Sequence, residues 1–211
     1  MAILTPVGVC NSALIQLGDV PIISFDDGTQ RSDVCRDEYP KARDTVLELH
    51  PWNFATWYDT LGRIGDAPAW GWAYQYALPT KPYCLRVLQL QHNAPFEIVV
   101  NPLEGRVLLT NEATANIRYI WRQEDLERWT GLAVEALTIF MAKVLAPFVT
   151  GKQTTRDAMV VELKQWLAAA ADRDGHEGTP HAVPPNRVLA QVRHRTGGGS
   201  RFDMERIGTG L

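Results

Sequence analysis

The stretch His50-Pro51-Trp52-Asn53-Phe54-Ala55 decides the fold, because a helical pattern ends there and a strand-like pattern begins. Proline disfavours the α region at the residue before it, so the preceding helix is expected to end at His50. Trp52 and Phe54 follow at the two-residue spacing of a strand. Side chains of this size supply much of the apolar area of a core. We therefore expect His50, Trp52 and Phe54 to pack a helical part of the chain against a β part.

Two helices are predicted upstream of this stretch. The first opens at Thr5-Pro6, a capping residue followed by a proline suited to a first turn, and stops at Gly18. The second runs from Gln30 to His50 and contains Pro40, and an interior proline costs about 3 kcal/mol. Because the apolar spacing continues through Pro40, the pattern predicts one kinked helix, with two separate helices as the alternative.

Downstream of the stretch, short apolar runs are separated by glycines and prolines as far as residue 121. This pattern is typical of an antiparallel sheet or a small barrel. A hairpin loop is predicted at residues 101–105. The predicted strands are Asn53–Leu61, Trp72–Leu78, Cys84–Gln91, Phe96–Asn101, Arg106–Thr110 and Ile117–Trp121.

Helical spacing returns between Leu126 and Val144, and Pro147 and Gly151 are predicted to mark the end of this third helix. Its apolar part carries two charged residues and is expected to be a buried helix rather than a membrane span. A fourth helix is predicted to begin near Thr154, in a pattern similar to a capping box, and to end at Gly175. Its predicted core face consists of Met159, Leu163, Trp166, Leu167 and Ala170.

These elements predict an α+β architecture with one interruption. Residues 1–51 and 122–175 are expected to form a four-helix bundle. Residues 52–121 are expected to form an antiparallel β-sheet insertion within it. Residues 176–211 are expected to form an extended C-terminal arm, because this segment has too little apolar sequence to bury a core of its own.

Composition excludes several classes of protein. The chain has 211 residues, of which 45% are hydrophobic, which is sufficient for one real core. Its net charge of −3 argues against a dedicated nucleic-acid binder. Cys10, Cys35 and Cys84 lie far apart in the sequence, which predicts neither a disulfide framework nor a zinc site and suits a reducing cytosol. No signal peptide is expected at the N-terminus.

No catalytic motif stands out, and no enzyme activity is expected. Glu124, Asp125 and Glu127 form the one notable acidic cluster. Such carboxylates can serve glycoside hydrolysis, but acids at this position more often complement the dipole of a following helix. We favour the second interpretation.

No metal or cofactor site is expected either. Asp26-Asp27 precedes a glycine, and a solvated turn is favoured there over a cation site. His50 is expected to pack at the end of its helix rather than to act as a ligand beside Cys35.

The densest aromatic run is Trp70-Gly71-Trp72-Ala73-Tyr74-Gln75-Tyr76. Single-stranded nucleic acids stack on such side chains, but binding grooves of that kind also carry lysine and arginine, and this run has neither. Packing in the core or between subunits is favoured, and Trp70, Trp72, Tyr74 and Tyr76 are the candidate interface residues.

Several local runs follow one another in a characteristic order across about residues 4–175. They are Cys10–Leu14, Leu17-Gly18, Cys35–Tyr39, Ala42-Arg43, His50–Ala55, Gly71-Trp72, Tyr74–Pro79, Cys84–Leu88 and Arg118–Ile120. Together these runs resemble the tail tubular protein A family, the head-to-tail adaptors of short-tailed bacteriophages. The spacer Thr80–Tyr83 and a longer, more basic arm depart from the family pattern.

The resemblance implies a structural role in the virion tail, at the head–tail junction, after assembly in the host cytoplasm. Family members form a homo-oligomeric ring, generally a dodecamer, between the portal protein and the distal tail or nozzle protein. Double-stranded DNA passes through the lumen without specific binding, and no membrane is involved. In such a ring the basic arm is expected to contact the portal or a neighbour through Arg187, Arg193, Arg195, Arg201 and Phe202.

Two other functions are kept as alternatives. A tail-associated peptidoglycan hydrolase would use Glu124 or Asp125. A single-strand nucleic-acid binder would use the aromatic run at residues 70–76.

Overall fold

Four helices and six strands make up the part of the chain described by the structure, a computed structural model that covers residues 4–65, 68, 70–151 and 153–176. The fold is α+β, as predicted. The helices are α1 (Pro6–Gln16), α2 (Gln30–Leu49), α3 (Gly131–Thr150) and α4 (Gln153–His176). The strands are β1 (Thr56–Thr60), β2 (Tyr74–Ala77), β3 (Cys84–Leu90), β4 (Phe96–Asn101), β5 (Gly105–Thr110) and β6 (Asn116–Trp121).

Helix α1 begins and ends at the residues that the sequence indicates. The Gly8 N–H donates to Thr5 Oγ1 at 3.0 Å, which satisfies one of the first-turn donors. After the helix, Gly18 takes a positive φ of 76°, a conformation that glycine adopts without steric cost.

Helix α2 is a single helix, so the two-helix alternative is wrong. Its first turn is closed reciprocally, because the Ser32 N–H donates to Thr29 Oγ1 and the Thr29 N–H donates to Ser32 Oγ. The helix continues through Pro40, whose ring lies on the exposed side. His50 then takes an extended conformation, with φ −137° and ψ 142°, as expected for a residue before proline.

Helix α3 begins later than predicted and ends at Gly151, one of the two residues predicted to mark its end. The periodic residues from Leu126 onward first form a 3₁₀ turn at Leu126–Arg128, since a three-residue spacing suits either helix type, and the α-helix begins at Gly131. Pro147 lies inside the helix on its exposed side and does not end it. The end comes at Gly151, which has φ 64°.

Helix α4 begins one residue before the predicted cap, so Thr154 lies within its first turn and does not cap it. The predicted stop, Gly175, is its last residue but one. The predicted core face is confirmed, since Leu163 and Ala170 are buried.

The β part contains two antiparallel sheets, where one antiparallel sheet or a small barrel was predicted. Their strand orders are β1-β6-β3 and β2-β5-β4. The predicted hairpin joins β4 and β5, with Asn101 opposite Gly105 and the Asn101 side chain accepting from the Leu103 N–H at 2.9 Å. Two packed layers bury apolar faces that one open sheet would leave in water.

The first predicted strand begins later than expected. Asn53–Ala55 form a 3₁₀ turn, and β1 starts at Thr56. Two-residue spacing alone cannot separate a strand from a tight turn that buries the same aromatics, and here the turn places Trp52 completely out of solvent.

Two hydrophobic cores result. The first surrounds α3, on which α1, α2 and α4 each pack, and it extends to Leu85 and Ile120 of the sheet β1-β6-β3. The second contains residues of both sheets, including Tyr76, Leu108 and Tyr119.

By length and composition alone, α3 would also qualify as a membrane span. Of its most apolar window, 56% is buried inside the fold. In this fold α3 is the central helix of the first core.

Candidate functional site

The junction between the helices and the sheets is built on a chain of aromatic rings. The His50 and Trp52 rings meet edge to face with centroids 4.7 Å apart. Trp52 and Phe54 follow at 5.8 Å, and Phe54 and Trp129 at 5.2 Å. Trp52 Nε1 also donates to the Val46 carbonyl at 2.9 Å. The stretch His50–Ala55 thus connects α2 with the segment that leads into α3.

Four charged side chains form a network beside these rings. Asp44 on α2 accepts from Arg43 on one carboxylate oxygen and from Arg122 on the other, with closest distances of 2.9 Å and 2.6 Å. Arg43 also reaches Glu124 at 3.3 Å. The Arg122 guanidinium lies 4.4 Å from the centroid of the Tyr83 ring. The network balances two positive against two negative charges and links α2 to the segment that follows β6.

The acidic cluster before α3 has structural partners. Asp125 caps the 3₁₀ turn, because its side chain accepts from the Glu127 N–H at 3.0 Å, and it pairs with Arg128. Glu124 pairs with Arg43 within the network. Glu124 and Asp125 lie before the 3₁₀ turn and Glu127 lies within it, so none of the three acids is in the first turn of α3. The explanation that they complement the dipole of that helix is therefore wrong. Hydrolase activity through Glu124 or Asp125 stays an untested hypothesis.

Asp27 organises the turn that precedes α2. Its carboxylate accepts from Thr29 Oγ1 at 2.8 Å, from the Thr29 N–H at 3.0 Å and from the Ile23 N–H at 3.2 Å. Hydrogen bonding to Ser32, and then to Thr29, holds the pKa of Asp27 well below its usual range. The carboxylate therefore has partners within its own loop.

Asp27→Asn is expected to lower the melting temperature at pH 7. Because the folded-state pKa is depressed, the stabilisation is fully present above the unfolded pKa of about 3.9 and is lost as the pH falls further. Thermal melts of both proteins between pH 7 and pH 2.5 should therefore converge at the acid end. Asp26→Asn is the matched control, and a difference for Asp27→Asn that grows on acidification would contradict this role.

Two buried thiols lie together between α1 and α2. Cys10 and Cys35 are both completely buried, and the interaction with the Cys35 thiol, together with burial, raises the pKa of the Cys10 thiol. Among the described residues, no group of three or more His, Cys, Asp or Glu side chains is placed to hold a metal ion. Cys35 is thus paired with Cys10, while His50 packs on Trp52.

The aromatic run at residues 70–76 divides between surface and core. Trp70 is 88% exposed, and Trp72 is partly buried, with its Nε1 donating to Glu97 at 3.0 Å. Tyr74 lies under the Arg63 guanidinium at 4.3 Å. Tyr76 is buried in the second core, which leaves it almost no surface for a partner.

Two exposed aromatics on β1 were missed by the sequence analysis. Trp57 and Tyr58 are 58% and 67% exposed. Consecutive strand residues point to opposite faces, so two adjacent aromatics cannot both enter one core. The adjacency of Trp57 and Tyr58 in the sequence could therefore have predicted that at least one of them lies outside the core.

A cavity of about 280 Å³ opens beside the helices. Its apolar wall includes Leu14, Val34 and the exposed Phe148, and the ion pair between Arg31 and Asp19 lies at the same cavity, with 2.6 Å between its atoms. This mixture of an apolar wall and a neutralised ion pair gives no catalytic arrangement.

The predicted arm contacts, Arg187, Arg193, Arg195, Arg201 and Phe202, lie outside the described residues.

Comparison with known proteins adds nothing to the site: no protein-family model matches the chain, and a search of curated proteins found no match.

Proposed function

We propose that this chain is a structural head-to-tail adaptor of a bacteriophage virion. It forms a homo-oligomeric ring between the portal and the distal tail protein, a dodecamer by analogy with the family it resembles. The ring lines the channel through which double-stranded DNA leaves. The proposal rests on the local sequence runs that resemble the adaptor family and on the exposed surface of the β part.

The observation that carries the proposal is the exposure of large aromatic side chains beside two closed cores. Trp57, Tyr58 and Trp70 are all more than half exposed, although each is large enough to anchor a protein contact. A subunit that displays such side chains is suited to assembly. A heterologous ring needs two different contact faces on each subunit, and we assign both faces to the β part.

The proposal includes a finer architecture. The packing of α1, α2 and α4 on α3 supports a four-helix bundle of residues 1–51 and 122–175, with residues 52–121 as the inserted β domain. The arm at residues 176–211 is proposed to reach the portal or a neighbouring subunit.

The charge of the chain suits a DNA conduit. Each DNA phosphate that a protein neutralises adds salt-dependent affinity, and a channel that gripped its cargo would slow its passage. A net charge of −3 per subunit avoids this.

The test is assembly of the purified protein, alone and mixed with portal protein, followed by negative-stain electron microscopy and light scattering. Rings are expected in at least one of these conditions. A protein that stays monomeric at high concentration and does not bind portal would overturn the proposal.

Trp70→Ala is expected to weaken assembly without affecting the fold. Because Trp70 is 88% exposed, its loss should change the free energy of unfolding by no more than about 0.5 kcal/mol. Ring formation should shift to higher protein concentration, as measured by light scattering across a dilution series. Ile23→Ala removes an equally exposed apolar side chain from the helical part and is the control. Equal assembly of both variants would show that the aromatic run is not an interface.

A further inference from the structure

Each sheet has one strand edge that the described chain covers. The outer edge of β2 is covered by the segment before it, since the Ile64 N–H donates to the Gln75 carbonyl at 2.9 Å and the Ala77 N–H to the Gly62 carbonyl at 3.1 Å. These bonds occupy backbone groups that an edge strand would otherwise offer to another chain.

The outer edge of β3 is also covered where the strand begins. The Arg106 guanidinium donates to the Cys84 carbonyl at 2.8 Å and to the Leu85 carbonyl at 3.0 Å, and the Cys84 N–H donates to the Pro79 carbonyl. Two register shifts further along β3 distort this edge. Bulges of this kind protect edges from additional pairing.

The edge of β1 pairs with no further strand among the described residues. The Leu61 N–H donates to the Ala115 carbonyl directly opposite, at 2.8 Å, and hydrogen-bonded pairs alternate along an antiparallel ladder. Leu61 and every second residue before it therefore face β6. The intervening residues, Thr56, Tyr58 and Thr60, direct their N–H and C=O groups away from the sheet. The Thr56 N–H donates to the Asn53 carbonyl and the Thr60 N–H to Asp59 Oδ1 at 2.8 Å, so among the described residues the Tyr58 N–H is the donor left for a second strand.

The edge of β4 is open in the same way. The Leu78 N–H donates to the Arg106 carbonyl, so these two residues form a hydrogen-bonded pair. The even-numbered residues of β5 therefore direct their backbone N–H and C=O groups toward β2, and the odd-numbered residues direct theirs toward β4. In the β4–β5 register, the three residues of β4 left facing outward are Phe96, Ile98 and Val100.

Both open edges carry exposed apolar side chains. Trp57 and Tyr58 on β1 are 58% and 67% exposed, and Val100 on β4 is 77% exposed. Natural proteins usually protect a free edge with charged side chains, above all lysine, or with a proline, a bulge or a covering segment. Each of these strands carries one acid, Asp59 in β1 and Glu97 in β4, but neither contains lysine or proline.

We propose that the β1 edge of one copy of this chain pairs with the β4 edge of a second copy, so that two three-stranded sheets join into one six-stranded sheet. The occupant is a second copy because every chain presents one edge of each kind, with three outward-facing residues in both. Pairing of β1 with itself would leave β4 open and would give a closed dimer. Pairing of β1 with β4 is heterologous and repeats from subunit to subunit, as a ring requires. Ring closure rests on the proposed function.

An antiparallel register with Tyr58 opposite Val100 fits the side chains. It places two exposed apolar side chains on the same face. It also sets Asp59 opposite Val99, whereas the register shifted by two residues would set Asp59 against Glu97. Like charges directly opposite one another destabilise a strand pair.

The first test is cysteine cross-linking in the full-length protein. Directly opposite residues of a hydrogen-bonded pair have Cα atoms about 5.5 Å apart, within the range for a disulfide. The native cysteines are buried and should not interfere. Under copper–phenanthroline with dissolved oxygen as the oxidant, the double variant Tyr58→Cys/Val100→Cys is expected to give a ladder of linked subunits on a non-reducing gel, and each single variant only monomer. A dimer from Tyr58→Cys alone would show β1–β1 pairing and overturn the proposal.

The second test is Tyr58→Pro, which removes one outward N–H and leaves the bonds to β6 intact, since proline is tolerated where its nitrogen faces away from the sheet. We expect Tyr58→Pro to keep the far-ultraviolet circular dichroism spectrum of the wild type but to form no rings. If rings persist in Tyr58→Pro and the double cysteine variant gives no ladder, the edge pairing is wrong and the adaptor proposal stands. If the wild-type protein forms no oligomer with or without portal, both proposals fail.

Discussion

Trp52→Ala is expected to lower the free energy of unfolding by about 3–5 kcal/mol, the usual cost of truncating a large aromatic in a core. The Trp52 side chain is completely buried, and its ring lies between those of His50 and Phe54. Truncation leaves a cavity where α2 meets the β part. It also removes the N–H that donates to the Val46 carbonyl at 2.9 Å. Denaturant unfolding followed by far-ultraviolet circular dichroism measures the loss.

Two variants separate the causes of this effect. Trp52→Phe keeps an aromatic ring but removes the N–H, so it should cost less than alanine, and the lost hydrogen bond alone should account for about 1–3 kcal/mol. Trp57→Ala makes the same chemical change at a side chain that is 58% exposed and should cost much less. Equal destabilisation by Trp52→Ala and Trp57→Ala would show that Trp52 does not hold the junction.

The boundary at Pro51 was predictable because its cause is local. Proline restricts the residue before it whatever the rest of the chain does, and His50 is extended as a result. The form of the following turn was not predictable, because it depends on Trp129, which is distant in sequence and contributes the ring that Phe54 meets at 5.2 Å. Tertiary packing of that kind cannot be deduced from a two-residue spacing of aromatic side chains.

In the sheets, too, one feature was predictable from the sequence and another was not. Alternation and glycine–proline breaks located all six strands, because side-chain direction is a property of each strand alone. Their division into two sheets depends on which strand pairs with which, and β1 pairs with β6 from almost the opposite end of the insertion. The exposure of Trp57 and Tyr58 follows from that pairing, since β1 lies at an edge.

The charged network was also beyond prediction. Arg43 and Asp44 are neighbours in sequence, and nothing in their spacing indicates that the third member, Arg122, comes from the segment that follows β6. The network and the aromatic junction together fix how the helices meet the sheet β1-β6-β3, and a ring of the proposed kind depends on that geometry.

Asp44→Asn is expected to lower the free energy of unfolding by about 2–3 kcal/mol. Removing one partner of a buried ion pair costs about 3–5 kcal/mol, and partial exposure reduces this. The Arg43 and Arg122 side chains are 11% and 33% exposed, so both guanidiniums would remain partly desolvated, close together and without their shared carboxylate. Asparagine preserves the size of the side chain, so the loss reports charge and not packing.

Glu124→Gln is the matched control for this prediction. Glu124 is 68% exposed and makes a single contact of 3.3 Å with Arg43, so its change should cost at most about 1 kcal/mol. A double-mutant cycle of Asp44→Asn with Arg122→Met, read by denaturant unfolding, should give a coupling energy of about 1–3 kcal/mol. Additive losses in that cycle would show that the two side chains act independently and that the aromatic rings alone hold the junction.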